Sequence, residues 1–518
     1  MINDSSLAAG VGISANNTPF TTAAVNVPRK VLVIASPLSA NEGNFTDGVK
    51  EIVTSVEYHA NKAGRGSAAA KVLQWVHEVY SGELWLMPAF EPGTPTQSTG
   101  DITFAGTATA AGTIHLYIGG DKVKNISVNI GDDAEAVVDK CVTQITADAD
   151  LPVSGVKNGV TAEQLDLTAK SAGPWGDFVI SVNLGFQEAL PAGITVASTT
   201  QMSGGAGIVT LATYLNYLGL DDDSNEDFFT AIIHINGQDS TSLNSLSTWN
   251  GIGNEISGNW SKSVHRPTRS LVGDTADGSA GLAALITLGN GRKETDRTSG
   301  CVAAPASPNS PHEIAAKTIG IMEELAAQRP EENYVGKTLP GVYPGVAADR
   351  WTASYDSRDS ATQAGITATR VKGGAVQLSN VITFYHSASV SVASNGYREM
   401  RNIAVLQNML YSLANEFESS KWQGCTIVAD IAKVSNAVNR QKLRSTESVR
   451  AALNSLADQF EAKAWIYSSE FTKNLLKESG YIAIRTLSDG FNIVFPCQLS
   501  GVLNIIDLQL AFDTNIAA

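Results

Sequence analysis

The sequence predicts a mixed α/β chain: an α/β core, a small β-rich domain inserted into it, and extended N- and C-terminal arms. Three observations carry this. A strand-helix-strand succession opens the chain after a polar start and resumes after residue 205. Between the two, residues 99–205 change to short alternating strands with glycine turns. The last apolar stretch, residues 503–512 (L-N-I-I-D-L-Q-L-A-F), alternates like a half-buried strand but has no hairpin mate.

Residues 1–24 are Ser, Thr, Asn, Ala and Gly with few large apolar groups, an arm that cannot build its own core. The β-branched run Arg29-Lys-Val-Leu-Val-Ile-Ala35 is a strand stopped by Ser36-Pro37. Gly64-Arg-Gly-Ser67 reads as a turn and N-cap for a helix over residues 68–80, patterned by Val72, Leu73, Val76, His77 and Tyr80. Gly82-Glu-Leu-Trp-Leu-Met87 is the next strand, closed by Pro88, which completes a β-α-β unit. Glu91-Pro-Gly-Thr-Pro-Thr-Gln-Ser-Thr-Gly100 is linker. Strands are expected at 102–104, 113–118, 124–130, 165–168 and 178–182, a hairpin at Gly119-Gly120, and a helix over 132–145. Ser203-Gly-Gly-Ala-Gly207 is the return linker.

The α/β alternation then resumes. Helices are expected over 211–218, from Thr248 to Ile256, and over 312–328, 398–417 and 446–460. Strands are expected at 229–235, 271–272, 285–288, 365–374 with its glycine turn, 375–386, 480–485 and 491–495, and a polar stretch starts at 349–352. The resulting division is 1–24, an arm; 25–98 plus 206–395, an α/β domain; 99–205, the insert; 396–500, a C-terminal domain; and 501–518, the lone strand. No short internal repeat is present.

With 518 residues, 43% hydrophobic and 17% charged, the chain can bury sizeable cores but is poor in charge for a free monomer, where about 25% is usual. Low surface charge suits a protein that covers itself with copies of itself. A net charge of −15 argues against direct nucleic-acid binding, because phosphate contacts need a basic footprint. The start, Met1-Ile-Asn-Asp-Ser-Ser, has neither the basic nor the apolar region of a signal peptide. No apolar run approaches the ~20 residues that span a bilayer, so membrane insertion is not expected and folding in a cytoplasm is. Cys141, Cys301, Cys425 and Cys497 lie far apart. They read as reduced packing thiols, or as candidates for inter-subunit disulfides outside a reducing cell, but not as a metal site.

Catalytic signatures are missing. There is no G-x-x-x-x-G-K-[ST] loop, H-E-x-x-H or G-x-S-x-G, so no catalytic residue, cofactor or metal is assigned. Gly251-Ile-Gly253 and Gly64-Arg-Gly66 lack the third glycine of a dinucleotide loop. The histidines are dispersed: His59, His77, His115, His234, His265, His312 and His386. Asp221-Asp-Asp-Ser-Asn-Glu-Asp227 lacks the glycine and distal glutamate of a calcium loop and reads as solvated.

Two features point outward. Residues 433–444 carry Lys433, Arg440, Lys442 and Arg444 with no acid between them. On a helix, Arg440 and Arg444 would share a face, either solvated or set against an acidic partner. The final strand presents Ile506, Leu508, Leu510 and Phe512 on one face, after a candidate hinge at Gly501. It must pair within its own chain, pair with a neighbour, or leave an open edge.

Taken together, these residues resemble the contractile phage tail sheath proteins of the Mu-like type. Gly64-Arg-Gly-Ser67 and the run from Trp75 to Pro88 resemble the family's early α/β unit. Gly106-Thr-Ala-Thr-Ala-Ala-Gly-Thr-Ile114 and Thr168-Ala-Lys-Ser-Ala-Gly-Pro-Trp-Gly-Asp177 resemble its β-rich insertion. Gly365-Ile-Thr-Ala-Thr-Arg-Val-Lys-Gly-Gly-Ala-Val-Gln-Leu, then Val381-Ile-Thr-Phe-Tyr385 and Tyr397-Arg-Glu-Met-Arg401, resemble its strand, turn, I-T-x-Y strand and helix lead. The usual I-T-T-Y is Ile382-Thr-Phe-Tyr385 here, and the stretch from Ser270 to Pro311 matches poorly.

The resemblance implies a sheath core and a structural, non-enzymatic subunit. Such subunits stack as hexameric rings around a tail tube and contract to drive it through a cell envelope. It implies an outward-facing insert, a tube-facing C-terminal domain and arms that add strands to neighbouring subunits; the basic residues Lys433, Arg440, Lys442 and Arg444 are then the expected tube contact. The implied partners are neighbouring sheath subunits, the tube protein, and baseplate and tail terminator proteins, in a virion tail assembled in the host cytoplasm. The alternatives are a sheath subunit of a phage-derived injection machine (tailocin or secretion-type) and an uncharacterised hydrolase.

Overall fold

The computed structural model describes residues 24–124, 126–218, 228–251, 258–261, 264–386, 396–436, 440–486 and 489–501. These fall into two compact bodies, one built on residues 26–411 and one on 412–500 with the segment around Val25.

The larger body starts with β1 (Lys30–Ala35), β2 (Glu51–Ile52), α1 (Val56–Ala63), α2 (Ala68–His77) and β3 (Glu83–Pro88). All but the first residue of β1 are buried, as expected of a β-branched strand covered on both faces. Ser67 caps α2 by accepting from the Ala70 N–H, so the expected turn and cap are there.

Next come β4 (Thr99–Gly106), β5 (Gly112–Ile114), β6 (Leu116–Ile118), β7 (Asp121–Lys122), β8 (Ile126–Val128), α3 (Ala134–Ala147), β9 (Val153–Lys157), β10 (Gln164–Ala169), β11 (Ile180–Val182) and β12 (Ile194–Ser203). Among the described residues these strands pair only with one another: an antiparallel sheet β12-β4-β10-β9, a smaller β11-β6-β7, and the pair β5-β8. Their apolar side chains nevertheless run on without a break into the main core, through Trp175 and Phe178 to Val72 and Trp75.

The main sheet resumes through α4 (Leu211–Asn216), β13 (Ala231–His234), α5 (Ser240–Asn250), β14 (Arg269–Asp274), α6 (Gly278–Arg292), β15 (Ser299–Ala303), α7 (Pro311–Gln328), α8 (Tyr355–Gln363), β16 (Ile366–Lys372), β17 (Ala375–Leu378) and α9 (Met400–Glu418). Its eight strands lie in the order β17-β16-β15-β14-β13-β1-β3-β2. The six inner strands are parallel and the outermost strand at each edge is antiparallel. Successive residues of β1 serve opposite faces. Val31 and Val33 pack with α2 and α7, while Leu32 and Ile34 pack with α4 and α5.

Several expectations need correction. Residues 285–288 are not a strand but lie in α6; a four-residue apolar run has no period that separates strand from helix, and the surrounding length decides. A helix runs over Ser240–Asn250, started by Asp239, which accepts from the Ser242 N–H at 2.7 Å, and it overlaps only the start of the helix expected from Thr248 to Ile256, of which residues 252–256 lie outside the described residues. The strand expected over 375–386 ends at Leu378, and Ile382 makes only a single bridge to Glu399. The polar stretch at 349–352 leads into a 3-10 turn and α8.

The sheet reverses its winding between β1 and β13, the place where doubly wound folds bind ligands at the carboxyl ends of their strands. Here the chain's own loops fill the switch point itself, while beside it an open cleft of about 660 Å³ is lined by Gly237, Gln238, Asp274 and Ser307, at or just after the ends of β13, β14 and β15. Ser36, Ile235 and Asn236 face Ala172–Trp175 and Gly207–Val209, leaving about 10 Å³. Gly173 has φ +90°, and a Cβ there would sit 2.5 Å from the Gly207 carbonyl oxygen, so only glycine fits.

The second body holds β18 (Thr426–Ile427), β19 (Leu443–Arg444), α10 (Thr446–Ala462), α11 (Ser469–Leu475), β20 (Ile482–Ile484) and β21 (Phe491–Ile493). Ser445 and Ser448 form a capping box at the start of α10. Val449, Leu453, Leu476 and Ile482 form the core, with Phe417, Trp422, Phe491 and Phe495 against it. Val25 is bound to Ser412 in both directions at 3.0 Å.

Candidate assembly surfaces

The residues expected to form a final strand, among them Ile506, Leu508, Leu510 and Phe512, and residues 1–23, expected to form an arm, lie outside the described residues, as does the acidic run 221–227. Gly501 is exposed, and a Cβ there would meet nothing within 4 Å.

The basic segment does not form one helix. Arg444 belongs to β19, paired in parallel with β18, so Arg440 and Arg444 do not share a helical face. Arg444 lies 5.5 Å over the Trp422 ring and donates to the Leu443 carbonyl at 2.7 Å and to the Lys421 carbonyl. Arg440 donates to the Val434 carbonyl and Lys442 to the Gln423 carbonyl at 3.2 Å. Lys433, Arg440 and Lys442 are exposed, and among the described residues no carboxylate forms an ion pair with any of the four. Residues 412–500 carry 10 basic and 9 acidic side chains, so the remainder of the chain holds the entire excess, 26 basic against 42 acidic. The segment is a cationic surface on the one part of the chain that is not acidic.

The same body presents a two-stranded antiparallel sheet, β20 with β21, whose outer edges pair with no described strand. Ile484 (42% exposed) and Val494 (57%) stand beside it. The pair packs against α10 through Ile482 and Phe491, and its outer edges leave backbone groups to which a further strand could bond.

Cys141 and Cys301 are buried in the larger body, and burial pushes the Cys141 thiol up to about 12 and the Cys301 thiol well above its ordinary range. Cys425 and Cys497 are partly exposed, and burial pushes the Cys497 thiol up to about 11. Among the described residues no group of three or more His, Cys, Asp or Glu side chains could hold a metal, and no helix is long and apolar enough to cross a membrane.

One site escaped sequence reading. Glu323 in α7 is fully buried and accepts from Arg269 at 2.5 Å and from the Thr230 hydroxyl at 2.8 Å, with Arg29 3.8 Å away. Arg269 also donates to the Tyr334 hydroxyl at 3.0 Å. Arg29 donates to Gln407 at 2.6 Å and Asn408 at 2.9 Å, and the Val27 N–H donates to Asn408 at 2.9 Å. Burial draws the Arg29 pKa down to about 10 against the pull of Glu323. Burial opposes the Arg269 charge too, yet the adjacent Glu323 keeps that guanidinium above its usual range. The available signal was Glu323 itself, a charge in helical register with Ile319 and Ala326 on an apolar face. The knot fastens the entry of the chain into the sheet to the first half of α9.

No protein-family model matches the chain. Among curated proteins it is 25% identical over 407 residues to the Mu-like prophage FluMu tail sheath protein of Haemophilus influenzae, covering 77% of each chain. Solved structures with a similar course include the sheath tail protein of Desulfitobacterium hafniense (10% identity, 89% of this chain and 92% of that one, TM-score 0.42). Two others are the sheath complex of the extracellular contractile injection system PVC in its contracted state (9%, 98% and 98%, 0.43) and the contracted helical sheath of the anti-feeding prophage (10%, 98% and 99%, 0.43). The resemblance first read from single motifs extends over most of both sequences: this chain is a relative of a Mu-like prophage tail sheath protein.

Proposed function

We propose that this protein is the structural subunit of a contractile tail sheath, a non-enzymatic protein that polymerises as stacked hexameric rings around a tail tube and contracts to drive the tube through a cell envelope. The similarity to a tail sheath protein across 77% of both chains carries this reading. The physical layout supports it. The chain's own loops fill the switch point of the α/β sheet between β1 and β13. Work in such a polymer comes from bistable packing of subunits and needs no nucleotide.

Within that reading, residues 99–205 are the inserted outer domain and 396–500 the tube-facing domain, in a virion tail assembled in the host cytoplasm. The arms, residues 1–24 and 501–518, add strands to neighbouring subunits. Ile506, Leu508, Leu510 and Phe512 form the donated face, and the open edges of β20 and β21 are suited to receive it. The exposed cations of 433–444 meet an acidic tube, with baseplate and terminator proteins at the ends. Of the cysteines, Cys425 and Cys497 are the better placed to bridge subunits.

Negative-stain microscopy of the purified protein tests the central claim: tubes or rings are expected, and a stable monomer refutes it. Deleting residues 501–518 tests the donated strand. A folded subunit that does not polymerise is expected, and normal polymer from the truncated chain removes the assignment.

A further inference from the structure

No charged residue occurs from Ala189 to Leu220, thirty-two positions in a chain of net charge −15. The insert around that run is acidic, with 12 acidic and 5 basic residues between 99 and 205. Its longest strand, β12, lies within the uncharged run, contains no proline, and is the edge of the four-stranded sheet. Residues 197–201 of β12 are exposed in succession, on both faces of the strand. Among the described residues β12 forms a ladder only with β4, irregular between Val196 and Ser198 and again between Thr200 and Ser203, and its end is tied to the β11 segment by Gln201 and Met202, which leaves the stretch from Thr195 to Thr200 as the open edge. Folded proteins blunt such edges with lysine, proline or a covering element. The irregularities blunt this one only in part, and the charges available in the insert are all placed elsewhere.

The opposite edge of the same sheet is β9, which among the described residues pairs only with β10. Ser154 and Val156 point outward from it, Val156 at 59% exposure, and Val160 in the following turn is 96% exposed. Every pairing from β12 through β4 and β10 to β9 is antiparallel, so β9 and β12 run in opposite directions. A second copy placed with its β12 beside β9 therefore continues the antiparallel alternation. Valine and serine on one edge would face threonine, alanine and serine on the other, side chains that pack well across strands. The two edges differ, so the contact is head-to-tail and propagates as a ring or an open helix.

We propose that β12 of one subunit pairs with β9 of the next, so that the sheet of the insert runs on between neighbouring copies. The proposal rests on the sheath reading in requiring a polymer of this chain. The test is cross-linking of the assembled full-length protein carrying Val156→Cys and Thr199→Cys with a short bismaleimide, the parent protein serving as control. A ladder running past the dimer is expected when both cysteines are on one chain, and dimers only when the two single variants are mixed. Adding Ser198→Lys and Thr200→Lys should abolish the ladder while circular dichroism stays that of the parent. Polymer without the ladder, or dimers from Thr199→Cys alone, overturns the edge contact and leaves the sheath reading intact. A parent chain that forms no polymer overturns both.

Discussion

Replacing Glu323 by glutamine tests the charge knot directly. The carboxylate is fully buried between two guanidiniums, 2.5 Å from Arg269 and 3.8 Å from Arg29, and both arginines are almost wholly enclosed. Glutamine keeps the volume but removes the one carboxylate that, among the described residues, pairs with the two arginines, and sets an amide donor against guanidinium donors. Two like charges are then left without compensation in the protein interior, a loss of about 3–5 kcal/mol. Through the opening equilibrium of the surrounding sheet, that is an acceleration of amide exchange of about a hundredfold or more. The assay is hydrogen exchange with mass spectrometry on peptides covering β13, β14 and α7, at a protein concentration where the chain is monomeric. Peptides from α10 and β20 in the second body serve as the internal reference. A second variant, Glu323→Gln with Arg29→Met, removes one stranded cation and should recover part of the loss. Exchange in β14 within a few-fold of the parent, about 1 kcal/mol or less, would refute the reasoning.

Four further outcomes are expected. His234 is buried with neither ring nitrogen hydrogen-bonded among the described residues, and burial lowers its pKa to about 4 against a weak opposing pull from Asp239. The unfolded chain therefore binds the proton first, and stability falls as pH drops from about 6.5 towards 4; His234 contributes about 2 kcal/mol of this between pH 7 and pH 5, and His312, which burial and His234 also lower to about 4, adds to the same slope. Urea midpoints at the two pH values read this, and His234→Leu should reduce the difference, leaving the part that His312 contributes; an unchanged slope counts against the assignment. Trp175 sits 5.5 Å from Trp75 and 5.6 Å from Phe178 and is 2% exposed, so Trp175→Ala should cost about 3–5 kcal/mol and lower the melting temperature of the larger body. Lys433→Glu alters an exposed cation and should weaken co-sedimentation with tubes while leaving the melting profile unchanged. Arg444→Ala should lower stability as well, because it loses a cation-π contact worth about 0.5–1 kcal/mol and its carbonyl bonds. Equal melting profiles for the two variants would contradict the structural role given to Arg444.

What the amino-acid order alone determined is local and periodic. The fully apolar run of β1, the cap at Ser67, the glycine turn after Lys372 and the long amphipathic helices all follow from patterns a few residues long, and all are found where the residues place them. Motif resemblance named the sheath relationship for the same reason, since short runs of turn and strand residues survive as recognisable text. Tertiary structure decided everything that depends on what two distant segments share. It placed residues 285–288 in a helix because fifteen residues of context outweigh an apolar tetrad. It ran one apolar core through both the insert and the α/β sheet, because Trp175 and the loop after β12 fill the sheet's switch point. It split the basic segment between a strand and its flanks, turning Arg444 inward onto Trp422 and leaving Lys433 exposed. And it brought Arg29, Arg269 and Glu323 together from three elements, a meeting no periodicity encodes, because burial rewards a charge only when its partners arrive from elsewhere in the chain.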